Sequence, residues 1–321
     1  MARAPESKHA VYAALIGNFL VALTKAIAGM LTGSASMQSE AVHSFVDTGN
    51  ELLLLYGMRR AAQRADPEHP LGYGRELYFW SFIVALLVFA LGAGVSMYQG
   101  IAHLLNPEPI EDPLISYVVL GLSFLFEGGS WWVSWRQFKG AKGSMDVYTA
   151  FRRSKDPPSF MVLFEDTAAL VGIVIAALAT YFSTANEMPI LDGVGSILIG
   201  IVLAITAILL ARESKSLLIG ERADRQLSEA IRRMAESEPN IARVNGVLTV
   251  QLGTSQILVA LSLEFADELV ATQIEEQFLA LEKKILHARP DVVTLFIKPQ
   301  TQRSFEATLR RRFGEDTSAE T

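Results

Sequence analysis

The stretch SMQSEAVHSFVDTGNELLLLYG, residues 36–57, decides how this chain is read. It is long enough to cross a hydrocarbon layer of ~30 Å as a helix, which takes about 20 residues. Yet it carries Glu40, His43, Asp47 and Glu51 among alanine, valine, phenylalanine and a run of four leucines. A hydropathy window ranks it last among the candidate spans. His43 and Asp47 are four residues apart, so a helix sets them one turn apart on a single face. At bilayer depth each ionisable side chain costs ~2.5–3.5 kcal/mol or more, which makes each one a functional hypothesis.

The rest of the sequence supplies the membrane. Hydrophobic residues make up 50% of the 321 and charged residues 19%, below the ~25% charge of ordinary soluble chains. No cysteine is present, which excludes disulfides, thiolate metal sites and a cysteine nucleophile. A net charge of −6, from 28 basic and 34 acidic residues, offers no basic excess for a nucleic-acid partner. Residues 77–102, 167–186 and 193–211 are free of charge, while 10–30 carries only Lys25 and 113–135 only Glu127. These are five apolar candidates, and 36–57 would be the sixth.

Charge placement decides the count. Arg59, Arg60, Arg64 and Arg75 fall in one connection, and Arg136, Lys139, Lys142, Arg152, Arg153 and Lys155 in another; Arg3 and Lys8 precede the first span. The connections 32–35, 106–112 and 187–192 contain no Lys or Arg. Six spans put every basic connection on one side, whereas five break the pattern. The expectation is an α-helical membrane protein with six transmembrane helices, residues 1–219, and both termini cytoplasmic. The N-terminus shows neither the apolar core of a signal peptide nor a basic transit peptide.

Residues 220–299 read as a soluble α+β domain. Leu227, Ile231 and Met234 keep helical spacing, as do Ile274, Phe278, Leu281 and Ile285. Ile257, Val259, Leu261, Leu263 and Phe265 alternate along a strand, with further strands at 244–252 and 292–297. The order αββαβ suits an open-faced sandwich. Residues 300–321 are expected to be a frayed tail.

The fifth span begins after Pro157-Pro158 and carries Glu165 and Asp166. Adjacent helical residues point about 100° apart, so at most one faces a given spot ideally. Pooled with His43 and Asp47, they make a cage for a divalent cation. The alternative is a His–carboxylate pair that merely satisfies itself; two helices with unexplained carboxylates favour a substrate or proton path. Lys25 is placed to snorkel, to neutralise a carboxylate, or to stand on the substrate path. Glu40 and Glu51 sit near the ends of the span, where interfacial water is in reach. Glu127 beside Gly128-Gly129 suits either a helix contact or proton transfer, and Asn18 a bond between helices. In the turn DPEHPLGYGR, 66–75, Asp66 and His69 offer two ligands, but Pro67 and Pro70 explain the turn equally well. The chain has no phosphate loop or nucleophile elbow, and is not expected to be an enzyme.

The stretches SEAVHSFVDTGN (39–50), HPLGYGR (69–75) and LFEDTAA (163–169) resemble the cation diffusion facilitator family, with a match from about residue 7 to 299. The third, with KSLLIG (215–220), is similar to the branch containing zinc transporter nine. The resemblance implies a homodimer in the lipid bilayer. It would exchange cytosolic Zn²⁺, or a similar ion such as Fe²⁺, Mn²⁺ or Co²⁺, for protons by alternating access, without a resident cofactor. It also implies a transport site with two ligands on span two and two on span five. His43, Asp47 and Asp166 fall on three of those positions. The fourth is Val162, which cannot bind metal; Glu165 is the substitute, offset about 60° around the helix. More carboxylate than imidazole would shift preference toward harder ions. The family's cytoplasmic zinc ligands are missing, with Asn245 and Lys298 where ligands would stand and only His287 nearby, so no metal is expected there. At the 66–75 turn Tyr73 replaces a further family ligand, leaving Asp66 and His69 as a weaker site. A metal-responsive scaffold or sensor without transport is the rival reading, and a bacterial inner membrane the expected location.

Overall fold

The computed structural model describes residues 8–143 and 145–314. They divide into two compact units, one within Met1–Arg60 and Glu76–Lys215, the other within Ala61–Arg75 and Ser216–Thr321.

The first unit is helical: α1 (Lys8–Thr32), α2 (Ala35–Ala61), α3 (Arg75–Leu87), α4 (Gly94–Leu105), α5 (Pro113–Lys142), α6 (Val147–Arg153), α7 (Pro157–Ala185) and most of α8 (Ile190–Ile219). A π-helical turn, Val88–Ala93, joins α3 to α4, so the stretch read from sequence as one uniform span carries a local widening of the helix. Among the described residues, four helical stretches are long and apolar enough to cross a membrane: Arg75–Leu105, Pro113–Gly140, Pro157–Ala185 and Ile190–Ile219. A shorter apolar stretch, Asn18–Thr32, lies within α1. The helix α2 is not among them, because its polar residues lower its hydropathy.

Those polar residues do not face outward. Ser36, Ser39, Glu40, His43, Ser44 and Asn50 are buried, whereas Phe45, Leu52 and Leu55 are exposed. The neighbouring α1 likewise exposes Phe19, Leu20, Leu23, Ile27, Met30 and Leu31. Large apolar side chains outside and polar ones inside reverse the arrangement of a helix on a water-facing surface. With 27 residues at 1.5 Å each, α2 is about 40 Å long.

The start of α2 is fixed by a residue far away in sequence. Asp192, in the first turn of α8, accepts from the backbone N–H of Ala35 (2.5 Å) and Ser36 (3.3 Å) and from the Ser34 and Ser36 hydroxyls. Ser34 Oγ accepts in turn from Met37 N–H at 3.2 Å. A carboxylate on these otherwise unpaired first-turn donors satisfies them and complements the helix dipole. The bundle interior is built from Met37, Leu120, Ala168, Ile173, Ala176, Ile199 and Leu203, with Leu54, Val84, Phe160, Met161 and Leu210 as a second cluster. Gly100 and Gly193 let α4 and α8 cross closely: a Cβ on Gly100 would stand 2.8 Å from the Gly193 carbonyl.

In the second unit α9 (Arg225–Glu236), β1 (Ile241–Gly253), β2 (Gln256–Phe265), α10 (Ala271–Ala288) and β3 (Val292–Pro299) follow in order. The sheet order is β1-β2-β3, with β1 antiparallel and β3 parallel to β2. The parallel pair is joined through α10, as such a connection requires. Val259, Leu261 and Leu263 of β2 are buried under Leu227, Ile231 and Ala235 of α9 and Leu281 and Ile285 of α10.

Two sequence expectations change here. Residues 302–313, expected to fray, form a further helix, α11 (Gln302–Phe313). The Thr301 hydroxyl caps it at Ser304 N–H, and the Phe305 ring lies so near Gly246 that a Cβ there would be 2.4 Å away. One aromatic anchor and one cap are enough to order a segment whose composition reads as tail; residues 315–321 lie outside the described residues. The loop 61–75, expected to belong with 1–219, groups with the second unit. Backbones meet there: a Cβ on Gly74 would stand 2.6 Å from the Leu252 carbonyl and 3.1 Å from Gly253 Cα.

Candidate metal centre

The inward face of α2 organises the site. His43 Nδ1 and Asp47 Oδ1 are 3.3 Å apart across one turn. The imidazole is 1% exposed. Among the described residues neither of its nitrogens, nor Asp47 Oδ1, has a hydrogen-bond partner. Leaving a buried polar group unmade costs about 1–3 kcal/mol; here Nδ1 and Oδ1 face only each other, without hydrogen-bond geometry, and Nε2 has no partner among the described residues. A neutral imidazole and a carboxylate are among the ligands that a borderline divalent ion takes.

The α7 carboxylates separate. Glu165 is buried and accepts from Asn50 Nδ2 at 3.0 Å. It therefore faces α2, one turn beyond Asp47. Asp166 accepts from Ser130 Oγ at 2.9 Å and Ser134 Oγ at 3.4 Å, both on α5. Both carboxylates, with Glu127 and Lys25, remain electrostatic neighbours of Asp47. As they stand, no three His, Asp or Glu side chains among the described residues are placed to share one ion. The structure thus joins His43 to Asp47, brings Glu165 alongside through Asn50, and holds Asp166 against the α5 serines.

Asn50 was not singled out from sequence. Its one sequence signal was its place three residues after Asp47 on the same face; the structure adds that it is fully buried and that its Oδ1 has no partner among the described residues. Toward the end of α2, Asn18 Nδ2 bonds Glu51 Oε1 at 2.5 Å, the interhelical bond that suits Asn18.

At the 66–75 turn both oxygens of Asp66 are already engaged. Oδ1 accepts from the N–H groups of Glu68 (3.0 Å) and His69 (2.7 Å), and Oδ2 from the Tyr73 hydroxyl at 2.6 Å. The Tyr73 hydroxyl foremost holds the exposed Asp66 below the usual carboxylate range. The His69 ring lies over Tyr73, centroids 4.3 Å apart. These bonds account for the turn without an ion.

A helical membrane bundle with a buried, unsatisfied imidazole–carboxylate pair is the class that this geometry defines. Residues 11–219 match the family model of the cation efflux transmembrane domain, and the chain belongs to that family, the cation diffusion facilitators. It is 32% identical over 270 residues to the mitochondrial proton-coupled zinc antiporter SLC30A9 of Homo sapiens, covering 83% of this chain and 47% of that one. It is 36% identical over 222 residues to metal tolerance protein C4 of Arabidopsis thaliana, covering 68% and 49%. With the cation-efflux pump FieF of Cronobacter sakazakii the identity is 25% over 286 residues, covering 85% and 88%. The chain spans about half the length of the first two, and its similarity places it in the SLC30A9 branch.

Proposed function

We propose that this protein is a divalent metal efflux carrier, with Zn²⁺ as its main substrate, that exchanges the ion for protons by alternating access. The observation that carries this reading is the buried trio of unpartnered atoms on His43 and Asp47. In it, His43 and Asp47 receive the ion first. Glu165 closes from α7 as the third ligand, with Asn50 steering it, and Asp166 exchanges its serine partners for the ion. His43 must be neutral and the carboxylates ionised to bind, so occupation expels protons. Reprotonation from the far side would then release the ion.

The topology that serves this function has six crossings, with α1 and α2 counted as spans and both termini cytoplasmic. Basic connections on one side and the exposed apolar faces of α1 and α2 support that count. The second unit serves a homodimer on the cytoplasmic side, and the host membrane is a bacterial inner membrane. The name of the human relative supports zinc and proton coupling, while the predominance of carboxylate over imidazole favours Mn²⁺ or Fe²⁺ as a second reading. The test is metal-dependent proton flux in proteoliposomes across Zn²⁺, Fe²⁺, Mn²⁺ and Co²⁺. Flux with Zn²⁺ above the others is expected. Binding of metal without any flux would make the protein a sensor instead.

A further inference from the structure

A second polar cluster lies on the same stripe of α2, one turn from His43, and the transport reading does not use it. Lys25 of α1 is 0% exposed. Its ammonium donates to Glu40 Oε2 at 3.2 Å, Ser44 Oγ at 2.9 Å and Glu127 Oε1 at 3.5 Å. Two helices, α2 and α5, thus place oxygens around one cation, and the cation is the protein's own, carried by α1. Glu40 is also fully buried, and its Oε1 has no partner among the described residues. That carboxylate packs against a glycine of α7: a Cβ on Gly172 would stand 2.1 Å from Glu40 Oε1, so the carboxylate would have to shift. The Lys25 charge acts on His43 and Asp47 as well.

A buried ion pair is weak evidence for stability, since well-packed apolar residues of similar volume often do as well or better. Solvent screening is weak here, so a fixed positive charge near an empty dication site opposes binding. We infer that Lys25 is a resident countercation that sets the affinity of the His43–Asp47 site, held in register by Glu40, Ser44 and Glu127. It balances carboxylate charge when no metal is present and opposes tight retention when metal is bound, so that the ion can leave. The inference rests on the proposed metal site, and gives Lys25 and Glu40 a positioning and charge-setting role rather than that of ligands.

The test is Zn²⁺ affinity of the purified full-length protein, by competition with a chelating indicator, across a charge series checked for folding by thermal melting. Lys25→Met removes one positive charge and should tighten binding about tenfold, and Glu40→Gln should weaken it about tenfold, both from the Coulomb term. The double variant Lys25→Met/Glu40→Gln restores the charge balance and should return to within about threefold of wild type, since the two charge terms cancel. Were Glu40 a ligand, the double variant would stay weak, which would overturn the inference. Equal affinities across the series would overturn it too. If Lys25→Met does not fold, Glu40→Gln against the double variant carries the same comparison. A His43→Ala protein that binds Zn²⁺ as tightly as wild type would instead reject the site on which the inference rests.

Discussion

Two helices of this chain obey opposite rules. In the second unit, α9 buries Leu227, Ile231 and Ala235 and leaves Arg225, Glu229 and Arg233 to water. In the first, α2 buries Glu40, His43, Ser44 and Asn50 and exposes Phe45, Leu52 and Leu55. In α9 the apolar stripe is clean; in α2 the buried polar groups share the interior with Met37, Val46 and Leu54. In α9 the hidden face is where apolar area is removed from water, so it stabilises. In α2 the hidden face is where polar groups find one another, and some find nothing. The first helix is read for stability and the second for function.

That contrast orders the predictions. Its strongest form is that truncation at the centre of α2 should destroy activity without cost to the fold. His43→Ala or Asp47→Ala should abolish Zn²⁺ flux in proteoliposomes, because a ligand goes. The thermal midpoint should hold or rise, because unpaired buried atoms go with it. A large fall in the midpoint would show that the pair is structural. The opposite holds in α9. Ile231→Ala, at 0% exposure, should cost about 2–5 kcal/mol of stability in the second unit, read by denaturant unfolding of the full chain. The intrinsic zinc affinity should stay unchanged.

A finer prediction separates neighbours on α7. Glu165→Gln removes a carboxylate that faces α2, and Asp166→Asn one held by α5 serines. Each should weaken Zn²⁺ binding by about tenfold or more if both close on the ion, metal-site ligands being charged oxygens. Normal binding by Glu165→Gln would leave Asp166 as the only α7 ligand. The smallest effect lies away from both helices. Tyr73→Phe removes the donor that holds the Asp66 pKa down, so the pKa should rise toward its ordinary value of about 3.9. Asp66 is depressed when folded, so its contribution is present above its unfolded pKa and is lost as pH falls through the folded one. Tyr73→Phe should lose that contribution at a higher pH than wild type. An NMR titration of the Asp66 carboxyl carbon, unchanged by the substitution, would sink this.

Several parts of this were legible in sequence for definite reasons. Basic residues cluster in alternate connections, and that arithmetic is what puts α2 forward as a span, beyond the four helices that qualify by length and hydropathy among the described residues. The i, i+4 spacing paired His43 with Asp47 before any coordinates. Strand alternation marked Val259, Leu261 and Leu263 as the covered face. What stayed illegible depends on rotations and long-range partners. Whether Glu165 or Asp166 turns toward α2 is set by how α7 is rotated about its axis, which spacing within α7 does not determine. Asp192 caps α2 from 157 residues away, with no local signal. Lys25, left open between snorkelling, neutralising a carboxylate and a place on the substrate path, is buried against Glu40 and Glu127 on two other helices.

The most direct test of the central claim, that the unsatisfied pair on α2 binds the transported ion, is X-ray absorption at the zinc edge of the loaded full-length protein. One imidazole nitrogen at about 2.0–2.1 Å, with oxygen ligands making up the rest, is predicted. The nitrogen should vanish in His43→Ala. A zinc shell of oxygen alone in the wild type, or an imidazole signal that survives His43→Ala, would contradict the account.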